Sequence, residues 1–206
     1  MALLRTMAGA CAIGALTLIG SGAVQAQTMG PRGPFLVRIG GYLPSNGNTR
    51  EALGTNFLSF GIGANLRRFD AFLPTTVEVY ADYFNRIKNH REATIGRVEA
   101  SMVGVGLMAK YSLDPKGELQ GFRPYFGTGV GIYWGRVKQE TVISETDLRP
   151  ISQRTNRTTL GGKIALGASL PNGLFGEVDY TFAPHPSIFD ERVNLNGTQI
   201  RLGYQF

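Results

Sequence analysis

Eight separate stretches of this chain alternate apolar and polar residues with a period of two, and that repetition restricts the possible folds more than any other feature. They run about 34–43, 56–67, 75–85, 98–112, 123–137, 158–170, 174–183 and 197–206. On a strand, successive side chains point to opposite faces, so each stretch makes one apolar and one polar face. In the second, Leu58, Phe60, Ile62, Ala64 and Leu66 oppose Ser59, Gly61, Gly63 and Asn65. In the fourth, Val103, Val105, Leu107, Ala109 and Tyr111 oppose Gly104, Gly106, Met108 and Lys110. In the last, Ile200, Leu202, Tyr204 and Phe206 oppose Gln199, Arg201, Gly203 and Gln205.

Composition narrows the class further. With 28 Gly in 206 residues, a helix-rich fold is disfavoured, since each interior Gly costs a helix about 1 kcal/mol. Mean hydropathy is close to zero, and beyond the N-terminal segment no run approaches about 18 apolar residues, so no transmembrane helix is expected there. One cysteine, Cys11, and two histidines exclude a disulfide scaffold and leave little for a metal enzyme. No cofactor and no metal site is expected.

Residues 1–26 have the form of a cleaved secretory signal. Arg5 gives a positive start, an apolar stretch follows from Met7 to about Ile19, and Val24-Gln25-Ala26 supplies small residues at a cleavage site. The remaining domain is residues 27–206.

The connections alternate in length. Long ones cover 44–55, 86–97, 138–157 and 184–196; shorter ones cover 68–74, 113–122 and 171–173. Short turns on one rim and long loops on the other mark a transmembrane barrel. A soluble barrel of lipocalin type also alternates, but it is apolar inside. Here Arg38, Arg67, Glu78, Asp82, Lys110, Lys163, Glu177, Asp179 and Arg201 share the polar parity, while the opposite faces are almost free of charge in mid-strand. Gly61, Gly63, Gly104, Gly106, Gly127, Gly129, Gly131, Gly167 and Gly203 share that same parity. Eight strands enclose a space just wide enough for side chains, and inward glycines would make room for long charged ones. The expected fold is therefore all-β, an eight-stranded antiparallel up-and-down transmembrane β-barrel, with both termini in the periplasm. Phe35, Tyr111, Phe126, Tyr204 and Phe206 would form one interfacial girdle, and Tyr83, Trp134 and Phe182 the other.

The last strand and the segment Arg123-Pro124-Tyr125-Phe126-Gly127-Thr128-Gly129-Val130-Gly131 resemble the small OmpA-like outer-membrane barrel family. The terminal Phe206, with Ile200, Leu202 and Tyr204 at alternate positions, is similar to that family's C-terminal assembly signal. The resemblance implies a bacterial outer-membrane location, reading of the last strand by the barrel-assembly machinery, and outer-membrane lipids and lipopolysaccharide as partners. No peptidoglycan-binding domain follows Phe206, so cell-wall tethering is not implied.

The inward charges admit two readings: a salt-bridged plug, in which buried charges satisfy one another, or a narrow gated pore. Gly104-Val105-Gly106-Leu107-Met108-Ala109 matches a dinucleotide fingerprint only on paper, because that motif needs a helix immediately after it and strand alternation continues to Tyr111. His185-Pro186-Ser187 resembles the His-x-Ser element of outer-membrane lipid A deacylases, though Pro184 and Pro186 suit a loop. Two of the long connections are basic. Residues 86–97 hold Arg86, Lys88, Arg91 and Arg97 against Glu92, and 136–157 holds Arg136, Lys138, Arg149, Arg154 and Arg157 against Glu140, Glu145 and Asp147. Such loops suit lipopolysaccharide phosphates or another anionic extracellular ligand. The basic residues are scattered, and no nucleic-acid partner is expected. The function that follows is non-enzymatic, structural or surface-interacting. The alternatives are a small-solute or ion pore, and a lipid A-modifying barrel enzyme using His185 and Ser187.

Overall fold

The computed structural model describes residues 33–69, 75–89, 95–114, 119, 121–141, 151–183, 187–188, 191–192 and 195–206. Residues 1–26, expected from sequence to be a signal, lie outside them. Eight barrel strands follow in chain order: β1 (Phe35–Pro44), β2 (Phe57–Phe69), β3 (Thr75–Asn89), β4 (Ile95–Ser112), β5 (Arg123–Thr141), β6 (Ile151–Ser169), β7 (Leu174–Phe182) and β8 (Gly197–Gln205). Each pairs antiparallel with its neighbours in sequence, and β8 closes on β1, with Arg38 opposite Gly203 and Tyr42 opposite Gln199. Closure gives every barrel strand two hydrogen-bonded neighbours, which is what lets strands cross hydrocarbon.

The barrel is inside-out with respect to a soluble protein. Leu58, Leu107 and Leu166, on three different strands, are 50–58% exposed on the perimeter, whereas Arg38, Lys163, Glu177, Asp179 and Arg201 are buried. The exposed aromatics collect near the strand ends: Phe35, Tyr204 and Phe206 at the short-turn end, Tyr83, Trp134 and Phe182 toward the long-loop end. Rings Tyr204 and Phe206 stack at 6.4 Å, and Tyr111 lies against Phe126 at 6.5 Å. A tight turn joins β6 to β7, where Gly173 takes φ +95 and Leu174 N donates to Asn172 Oδ1 at 3.1 Å.

Three features depart from the pattern read in sequence. First, β3, β4, β5 and β6 extend beyond the alternating stretches at the long-loop end, by four residues in β3 and β5 and by seven at the start of β6. The reason is a reversal of polarity. Past Trp134 the outward row of β5 becomes Arg136, Lys138 and Glu140, while the inward positions Val98, Ala100, Met102 and Val137 become apolar and buried. The ladder continues, but with the faces of a soluble sheet. Second, the connection 44–55 contains a helix, α1 (Gly47–Leu53). Asn46 caps its start by accepting from Asn48 N at 2.8 Å, and Gly54, at φ 91, ends it. Leu53 is fully buried, so the helix folds inward over the barrel mouth. Third, a β-bulge between Asn65 and Arg67 changes the register of β2 on β3. Asn65 pairs with Glu78, but Arg67 pairs with Val77, a position on the outward parity shared by Val79 and Ala81. The bulge offsets the backbone register from Arg67 onward by one position, with Arg68 opposite Thr76; the side chain of Arg67, expected inside, lies outside those described.

Candidate functional site

The register seats many of the long inward side chains across from glycine. Arg38 lies between Gly61 and Gly203, Asp82 between Gly61 and Gly104, and Tyr80 between Gly63 and Gly106. Lys163 faces Gly129, Lys110 faces Gly127, and Glu177 faces Gly167. The space is needed: a Cβ at Gly104 would lie 2.5 Å from Tyr133 Cε1, and one at Gly106 would lie 2.7 Å from the Tyr80 hydroxyl. Glycine on the inward parity is therefore the complement of large polar residues on the neighbouring strand.

Into that space converge four cations and four anions from six strands. Arg38 Nη2 donates to Glu78 Oε1, and Arg38 Nε stands 3.4 Å from Glu177 Oε1. Lys110 Nζ is 2.6 Å from Glu78 Oε2 and 3.6 Å from Glu177 Oε2. Lys163 Nζ donates to Asp82 Oδ2 and stands 3.7 Å from Asp179 Oδ1. Arg201 spans three carboxylates, reaching Asp82 Oδ1 at 2.5 Å, Glu177 Oε1 at 2.7 Å and Asp179 Oδ2 at 2.6 Å. Lys110 is the most exposed of the eight side chains, at 12%. Thus eight of the nine charges expected inside meet in one network, four cations against four anions; the ninth, Arg67, has its side chain outside those described.

Aromatic rings and amides complete the packing. Lys110 Nζ sits 4.6 Å from the Tyr125 ring and Lys163 Nζ 4.4 Å from the Tyr80 ring. The Tyr125 hydroxyl donates to Glu177 Oε2 at 2.7 Å, and the Tyr80 and Tyr133 hydroxyls bond at 2.8 Å. Ser59 Oγ donates to Gln199 Oε1 at 2.7 Å, and Gln199 Nε2 to Thr181 Oγ1 at 3.1 Å.

At the long-loop end the network is covered by a second, apolar layer. Tyr42 stacks on Phe84 with centroids 4.1 Å apart, and Phe57 meets the two rings edge-on at 5.5 and 5.9 Å. Leu53, Met102, Val137, Ala183 and Leu195 close around them. The lid is fastened by β3, whose Arg86 Nε donates to Leu53 O at 3.3 Å and whose Lys88 Nζ donates to Glu51 O at 2.6 Å. This layer was not anticipated from sequence. Its signal was present in Tyr42, Phe57 and Phe84, three aromatics toward the long-loop end of inward rows that elsewhere carry charge, glycine and tyrosine.

Of the other sequence candidates, His185 lies outside the described residues. Ser187 pairs through its backbone with Arg192 in a two-residue ladder with Glu191–Arg192, separate from the barrel sheet. The assembly-signal residues Ile200, Leu202, Tyr204 and Phe206 form the outward row of β8 and are exposed, and Phe206 N donates to Phe35 O at 3.0 Å. Among the described residues no group of three or more His, Cys, Asp or Glu is arranged to hold a metal ion.

A closed eight-stranded antiparallel barrel with an apolar perimeter and a charged core defines the class of small outer-membrane barrels. No protein-family profile and no curated protein sequence matches the chain. Among solved structures, Neisserial surface protein A aligns at TM-score 0.53 and 17% identity, covering 84% of this chain and 97% of that one, which establishes a shared fold. The attachment invasion locus protein Ail of Yersinia pestis, solved with the heparin analogue sucrose octasulfate, aligns more loosely at TM-score 0.47 and 12% identity, covering 85% and 99%. The N-terminal barrel domain of Pseudomonas aeruginosa OprF aligns at 0.42 and 13%, covering 85% and 98%.

Proposed function

We propose that this chain is a non-enzymatic bacterial outer-membrane barrel, exported by a signal cleaved after Ala26, that reinforces the envelope and presents its long-loop end for surface contacts. The closed lumen carries this reading: a balanced ion-pair network under an aromatic lid fills the space a permeant solute would need. Buried ion pairs of this kind hold only while every partner is present, which suits a structural plug better than a conduction path. The second reading, an ion or solute pore, requires water to pass Lys110, Arg201 and the Tyr42–Phe84 stack in turn. The outward row Ile200, Leu202, Tyr204 and Phe206 supports recognition by the assembly machinery, since it stays accessible on the strand that closes the barrel. Reconstitution of the full chain into planar bilayers tests the proposal. The expected record is silent apart from brief noise; steady conductance steps would replace the plug with the pore.

A further inference from the structure

Beyond Trp134 the perimeter of the barrel changes from apolar to basic within two residues. Arg136 follows Trp134 on the outward row of β5, about 7 Å farther along the strand. It pairs in register with Ser101 of β4 and Asn156 of β6; two residues on, Lys138 pairs with Glu99 and Arg154. Arg97, Arg136, Lys138 and Arg154 thus share one surface with Glu99 and Glu140. Both acids have partners: Glu140 Oε1 accepts from Lys138 Nζ at 2.5 Å, and Glu99 Oε2 lies 3.9 Å from Arg97 Nη2. Arg154 Nε donates to the neutral Asn156 Oδ1 at 3.2 Å. Arg136 Nε is buried against the sheet with no acceptor, and no acidic group among the described residues pairs with Arg136 or Arg154.

Directly on the hydrocarbon side of these guanidiniums runs an apolar strip. Trp134, Ile132 and Val130 continue down β5, and Leu160 of β6, in register with Ile132, is 81% exposed. The surface therefore offers acyl contacts below and unmet cationic donors above, separated by one interfacial tryptophan. Guanidinium groups match phosphate in charge and fork geometry. We infer that Arg136 and Arg154, with Lys138, Ser101 and Asn156 beside them, bind the phosphate of an anionic lipid in the leaflet at the long-loop end. This rests on the membrane-spanning reading above. A soluble polyanion would use the same cations but none of the strip from Val130 to Trp134.

Trp134 is the only tryptophan in the chain, so its emission reports the lipid beside the site. The full chain is folded into phosphatidylcholine vesicles containing graded fractions of brominated phosphatidic acid or, separately, brominated phosphatidylcholine. Quenching should show phosphatidic acid preferred severalfold, and the preference should fall about fivefold for each charge removed in R136Q and in R136Q/R154Q. It should also weaken as salt is raised. Equal quenching by the two lipids, or an unchanged preference in the double variant, overturns the site. Displacement of the preference onto soluble tripolyphosphate assigns the patch to a solvent polyanion and overturns it as well. Absence of any quenching by brominated phosphatidylcholine is a different failure, that of membrane insertion itself.

Discussion

Arg201 and Asp82, 119 residues apart in sequence, meet inside the barrel with Nη1 2.5 Å from Oδ1. The same guanidinium holds Glu177 and Asp179, so one side chain joins β3, β7 and β8 across the lumen. Removing it leaves carboxylates buried without their shared partner. Arg201→Met should destabilise the folded barrel by about 3–5 kcal/mol, read from urea titration of the heat-modifiable gel band. In a double-mutant cycle with Asp82→Asn, the combined loss should be smaller than the sum of the single losses.

The lid makes a separate prediction. Phe84 is buried between Tyr42 and Phe57, and truncating it opens a cavity beneath α1. Phe84→Ala should cost about 3–5 kcal/mol and should raise proteolysis within 44–55, followed by mass spectrometry of limited digests. Unaltered cleavage there would show that the rings do not anchor the helix.

Inward glycines are predicted to be intolerant where a large neighbour occupies their space. Gly104→Val places new carbon against the Tyr133 ring, whose Cε1 would lie 2.5 Å from the added Cβ. Over-packing of this kind costs about 1–3 kcal/mol or more, so the yield of heat-modifiable folded protein should drop. The outward Gly41, whose added Cβ would meet nothing within 4 Å, is the control; Gly41→Ala should fold as the parent does.

Glu140, six residues past Trp134 and outside the hydrocarbon band, carries the pH prediction. The hydrogen bond from Lys138 and that cation's charge, with a smaller effect from Arg97, lower its carboxyl below the ordinary glutamate range. A depressed folded pKa means the favourable pairing is complete above the ordinary range and disappears as pH falls through the lowered value. Carbon-13 titration of Glu140 should show the low midpoint in the parent and a return upward in Lys138→Gln. Below that midpoint Lys138 is released, and the preference for anionic lipid at Arg136 should rise.

The strand count and the facing of most strands were legible because hydrocarbon enforces alternation: Leu58, Leu107 and Leu166 had to point outward once Arg201 and Lys163 pointed in. Where hydrocarbon ends, so did legibility. The outer parts of β4 and β5 alternate with reversed sense, Val98 and Val137 inward and Arg136 and Lys138 outward, so a reader following the apolar face stops near Trp134. The bulge at Asn65–Arg67 was hidden because Arg67 and Arg68 are both charged, and either parity gives the same polar pattern. Helix α1 is seven residues long, and among its described side chains Leu53 and Thr49 are buried, too little periodicity to register. Which cation meets which anion depends on the stagger between strands, which sequence alternation leaves unspecified.

The ladder between β1 and β8 has a consequence for how the chain matures. Its partners, from Leu36 with Gln205 to Pro44 with Gly197, are contributed by opposite extremes of the domain, so the cylinder cannot be shut until both are present together. Until then the nascent sheet exposes two raw borders of amides to an environment without water, and a variant cut short before Gly197 would be left permanently ajar.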